Sequence, residues 1–117
     1  MKNIFIHPTD QPSRLVKNNE GKLKLTIQTL PFDNIIGCYP QSIYITSSEE
    51  IRKNDYYIHN NRIGQSAAGE QEKGDYKNCK KIILTTDPIL IADGVQAIDD
   101  EFLKWFVKNP SCECVEV

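Results

Sequence analysis

The chain has 117 residues, with 14 Lys plus Arg against 16 Asp plus Glu and a net charge of −2. That length fits one domain with a modest core, unaided by metal or disulfide. The near-balance of charge excludes the basic footprint of a non-specific nucleic-acid binder and the dense acidic face of a DNA mimic.

Only Ile4, Phe5 and Ile6 precede His7-Pro8 as an apolar run, too short for a signal-peptide core. No stretch is long enough to cross a bilayer. The expectation is a soluble cytoplasmic protein with no membrane partner. The four cysteines, at 38, 79, 112 and 114, are then expected as free thiols. Cys112 and Cys114 form C-x-C, not the C-x-x-C of common zinc knuckles. In a strand they would share a face as small apolar residues. A four-cysteine site would need Cys38 and Cys79 to converge on them, so no metal or other cofactor is expected.

Residues 3–6 read as a strand stopped by His7-Pro8. RLVKNNEGKLKLTIQ reads as a hairpin turning at NNEG, with Leu23, Leu25 and Ile27 alternating against Lys22, Lys24 and Thr26. Turns are expected at Pro31 with Asp33-Asn34, and at Tyr39-Pro40. SIYIT is a strand with Ile43 and Ile45 on one face and Tyr44 on the other. Lys53-Asn54-Asp55 turns into DYYIH, and His59-Asn60-Asn61 turns into RIGQ. SAAGEQEKGDYKN is polar and glycine-bearing, a surface loop.

CKKIILTT is the clearest strand, its Ile82-Ile83-Leu84 run implying burial on both faces, and Asp87-Pro88 ends it. A hydrophobic loop leads to a short helix capped by Asp99, with Asp100 and Glu101 favouring the positive end of its dipole. Phe102, Leu103, Trp105, Phe106 and Val107 make it apolar most of the way round, too apolar to face water. Asn109-Pro110 stops it, and SCECVEV alternates as a final strand. The expected fold is mainly β (β+α): a small compact β-barrel or sandwich with one short C-terminal helix followed by a final strand.

Catalytic signatures are sparse. His7 and His59 sit at strand ends without a nucleophile motif nearby. IGQSAAG lacks the lysine of a phosphate loop. Glu49-Glu50 and Asp99-Asp100-Glu101 have structural explanations. The surplus recognition chemistry lies in the tyrosines, with Tyr56 and Tyr57 on opposite faces of one strand and Arg52, Lys53 and Arg62 near them. The expected binding surface comprises Tyr44, Arg52, Tyr56, Tyr57, His59 and Arg62, with the loop at 66–77 beside it. A face of tyrosines and arginines can stack a nucleotide or dock a protein.

SIYITSSEEIRKNDYYI, CKKIILTTDP and IDDEFLKWFVKNPSCECVEV resemble stretches that recur, in this order, in small uncharacterised proteins of phages and metagenomes from Bacteroidetes-type hosts. A glycine often stands there in place of Asn54, which suits a left-handed turn position. The resemblance brings no assigned activity and no catalytic residues. It implies a viral or mobile-element origin and an accessory, anti-defence role.

The leading expectation is therefore a non-catalytic binding protein whose partner is a host protein or a small signalling nucleotide, acting in the host cytoplasm. The alternatives are a small hydrolase or nuclease using His7, His59 and Asp87, and a minor virion component. Exposed strand edges leave homo-oligomers open.

Overall fold

Alternating apolar and polar residues on strands bounded by Asn, Gly and Asp turns favour a sheet that is buried on both faces only where something covers it. The computed structural model describes residues 3–11, 13–30, 38–60, 62–66 and 79–115, with the backbone alone at 27–30 and 38. In chain order its elements are β1 (Ile4–Pro8), β2 (Ser13–Asn18), β3 (Leu23–Leu30), β4 (Cys38–Ser47), β5 (Tyr56–His59), β6 (Arg62–Gln65), β7 (Lys80–Thr85), α1 (Pro88–Ala92), β8 (Gln96–Ala97) and α2 (Asp100–Lys108). The sheet runs β3-β2-β4-β7-β5-β6, with β1 on β4 and β8 on β7. Every pairing is antiparallel except β7 with β8. The fold is mainly β with a short C-terminal helix, and the sheet is open rather than closed into a barrel.

β4 organises the sheet. The carbonyls of Gln41 and Ile43, two apart and so on one edge, accept from the Ser13 and Thr85 hydroxyls at 2.9 and 2.8 Å. β2 and β7 therefore share that edge, and β1 takes the other. Alternation along β4 feeds two cores. Ile43 and Ile45 pack with Ile4, Leu15, Leu23, Leu103 and Phe106 under α2. Tyr44 packs with Ile58, Ile82 and Leu90 under α1. The sheet thus carries one helix on each face.

The bulge in β7 divides its apolar run. Ile82 opposes Thr46 and Leu84 opposes Ile45, with Ile83 the extra residue between them. Ile82 joins the α1 core while Ile83 and Leu84 pack toward α2, so the strand is buried from both sides as its composition implied. The hairpin at NNEG also forms, with Gly21 at φ +82 and the Asn18 side chain accepting from the amides of Glu20 and Lys22.

Several expectations are corrected. Tyr39-Pro40 is not a turn but part of β4, where Pro40 opposes Val16. Its carbonyl accepts from Thr9, so its donor-less nitrogen points to the β1 edge, and the ladder to β2 loses no bond. For a related reason β1 continues through His7 and Pro8. The Asn3 carbonyl accepts from Thr46, so the even residues of β1 face outward and Pro8 needs no donor toward β4. The apolar loop after Asp87 contains a helix, α1, with Asp87 as N-cap and Pro88 in its first turn.

The segment after α2 forms no strand among residues 112–115. Instead Glu113 accepts from the amides of Asn3 and Ile4, and the Asn3 side chain brackets Val115, donating to its carbonyl and accepting from its amide, both at 2.8 Å. Cys112 packs against the core while Cys114 is exposed, so the two do not share a face. α2 is amphipathic rather than apolar all round: Phe106 is 0% exposed but Trp105 is 42% exposed. The turn expected at Pro31 with Asp33-Asn34 lies outside the described residues, as does the loop from 67 to 78.

Candidate functional site

The two predicted turns deliver β5 and β6 as expected. Asn54 adopts φ 71, and the Asp55 carboxylate accepts from the Arg52 amide at 2.8 Å, closing the first turn. Asn60 at φ 51 makes the second. The resulting register is Tyr56↔Gln65, Tyr57↔Gly64, Ile58↔Ile63 and His59↔Arg62. Tyr57, His59, Arg62 and Gly64 therefore share one face of the hairpin, and Tyr56, Ile58 and Ile63 the other.

On the α1 side the tyrosines are structural. The Tyr44 hydroxyl donates to Asp87 Oδ2 at 2.6 Å while Asp87 Oδ1 accepts from the Ile89 amide. The Tyr56 hydroxyl donates to Asp93, which ends the same helix. The two phenols hold the two ends of α1 to the sheet. Burial first, then the bond to Asp87, pushes the Tyr44 phenol well above its ordinary range. The bond to Asp93 is the main cause of the rise at Tyr56. Beside Tyr56, a notch of about 310 Å³ lies between β5 and β8 against β7. Lys81, which opposes Tyr57 in the β5–β7 register, is neutralised on that other face by Asp55 at 3.5 Å and Glu49 at 3.9 Å.

The opposite face of the hairpin differs. Tyr57, His59, Asn60, Arg62, Ile63 and Gly64 line an open groove of about 520 Å³. Gly64 is needed there, since an added Cβ would lie 2.7 Å from the Tyr57 hydroxyl and 2.8 Å from Cζ. The ring thus lies across β6 where a side chain would otherwise stand. Arg62 is exposed and makes no ion pair among the described residues. The chain's other two arginines are engaged, Arg14 with Asp100 and Arg52 with Glu50 at 3.9 Å.

The six residues expected to form one surface are therefore divided. Tyr44 and Tyr56 face α1. Arg52 lies in the turn before β5, and Arg62 opposes the last residue of β5, roughly 13 Å of strand away. Tyr57, His59 and Arg62 come together. Of the loop expected beside them only Ser66 is described, buried and bonded to the backbone of Asn54 and Asp55. Sequence reasoning missed Gly64 and Asp93. A lone glycine inside the strand RIGQ was the available signal for the first, and a carboxylate just after an Asp-Pro helix start offered none for the second.

The hydrolase set does not assemble. His7 meets the Tyr44 ring edge-on, centroids 5.5 Å apart, and Tyr44 reaches Asp87. His59 follows Ile58, which pairs with Lys80 at the far end of β7, about 20 Å of strand from Asp87. Burial raises the Cys79 thiol, which disfavours a reactive thiolate. Among the described residues no group of three His, Cys, Asp or Glu is placed to hold a metal, and no helix is long and apolar enough to cross a membrane. No family model, curated protein or solved structure matches this chain.

Proposed function

We propose that this chain is a non-catalytic binding protein, an accessory factor of phage or mobile-element origin that engages a component of the host cytoplasm. Its working surface is the Tyr57–His59–Arg62 face of the β5–β6 hairpin. One observation carries the reading: three side chains of recognition type surround one open groove, with Arg62 unpaired among the described residues. Tyrosine and arginine are the residue types that dominate binding energy at protein surfaces. The distance of His59 from Asp87 along β7, with Tyr44 standing between His7 and Asp87, supports a role without catalysis over the hydrolase alternative. The resemblance of its strand and helix stretches to small phage proteins supports the accessory role.

The test is native mass spectrometry of the protein purified without denaturation from cells of the host type. The wild type is expected to retain a bound component that a folded Tyr57→Ala/Arg62→Glu variant loses. Equal retention by both would place the binding surface elsewhere.

A further inference from the structure

Resting on that reading of the hairpin face, we infer that its ligand is a free nucleotide, with the base on the Tyr57 ring and the phosphate between Arg62 and His59. The spacing fits. Tyr57 and His59 stand two residues apart on one face, about 7 Å along the strand. Arg62 opposes His59 directly, at a Cβ separation of roughly 5 Å. A flat aromatic surface therefore lies one strand repeat from a guanidinium and an imidazole that stand at opposed positions of the hairpin. Gly64 keeps the strand beneath the ring free of a side chain.

Aromatic rings stack bases of any identity. A planar guanidinium binds phosphate through two parallel hydrogen bonds, and an imidazole beside it can donate a third. The groove, about 520 Å³, falls within the range of small-ligand sites.

The surrounding charge selects a free nucleotide over a nucleic acid. Tyr57 also opposes Lys81, and that lysine is already neutralised by Asp55 and Glu49. A polyanion continuing past Tyr57 would meet carboxylates and no uncompensated cation in that cluster. The net charge of −2 works in the same direction.

The experiment titrates isotopically labelled wild-type protein with AMP, GMP, CMP, UMP and inorganic phosphate, followed by amide NMR shifts. At least one nucleotide should give saturable shifts centred on residues 57–64, and phosphate alone a weaker response at Arg62. Arg62→Glu and Tyr57→Leu should each raise Kd roughly tenfold or more, with the remaining amide spectrum unchanged. Three results would overturn the inference: no saturable shift with any nucleotide, equal affinity for phosphate alone, or tighter binding of a single-stranded oligonucleotide than of any mononucleotide. If nucleotides fail while the native complex is still lost on Tyr57→Ala/Arg62→Glu, the binding face stands and only the ligand class falls. If that complex also survives the double variant, both fall.

Discussion

The Tyr44 hydroxyl, from the middle of the sheet, donates to Asp87 at 2.6 Å, and Asp87 in turn caps α1. One side chain thus joins β4, β7 and the helix that covers their shared face. Tyr44→Phe should destabilise the protein at neutral pH by roughly 1.5–3 kcal/mol, the range for a hydrogen bond to a charged partner.

Burial of the Tyr44 phenol, with the same bond second, sets a pH dependence. The folded phenol titrates above its unfolded value of 10.0, so the neutral form is favoured in the native state. Its stabilisation is complete below that unfolded value and is lost progressively as pH rises through the folded one. Urea midpoints should therefore fall with alkalinity above about pH 10 in the wild type, and less steeply in Tyr44→Phe. Parallel profiles would show that another group controls the alkaline limit.

Phe106 and Trp105 separate the buried and exposed faces of α2. Phe106→Ala removes a fully buried ring from the larger core and should cost about 3–5 kcal/mol. Trp105 is half-exposed and meets only the Phe102 ring among the described aromatics, centroids 5.7 Å apart, so Trp105→Ala should cost about 1 kcal/mol. Denaturant unfolding of the two variants side by side checks the order.

Asn3 stitches the C-terminal segment to β1. Asn3→Ala removes both bonds to Val115 and should accelerate hydrogen exchange at the Val115 amide, with slow exchange retained in β4. Unchanged protection at Val115 would show that packing of Cys112 and Val115 holds the segment without the clamp.

Gly64→Ala addresses the groove without touching its charges. The added methyl meets the outer end of the half-buried Tyr57 side chain, so the ring must shift to admit it. The stability change should be small, within about 1 kcal/mol, while the ring leaves its place over β6 and nucleotide affinity drops. Full affinity in a folded Gly64→Ala protein would show that the ring's position does not matter.

Much of this fold was legible in local pattern. The alternation of Leu23 and Leu25 with Lys22 and Lys24, the left-handed asparagines at 54 and 60, and the Asp99 cap all specify their structure within a few residues. Pro40 misled because a proline reads as a break unless its nitrogen faces an edge that needs no donor, and that depends on which strands lie on either side of β4. The segment 112–115 alternates like a strand, yet its partner is the Asn3 side chain, a long-range pairing no local pattern encodes. The division of the candidate site has a similar cause. Adjacency of Tyr56 and Tyr57 placed them on opposite faces, but only the tertiary positions of Asp87 and Asp93 reveal which face anchors α1.

The central claim, that the Tyr57–His59–Arg62 face does the binding, is tested most directly by reversing two arginines separately. Arg52 and Arg62 lie at opposite ends of β5, both exposed, and only Arg62 borders the groove. Retention of the bound component in native mass spectra should survive Arg52→Glu and be lost in Arg62→Glu, with circular dichroism unchanged in both. Loss in Arg52→Glu with full retention in Arg62→Glu would contradict the account and move the working surface to the turn before β5.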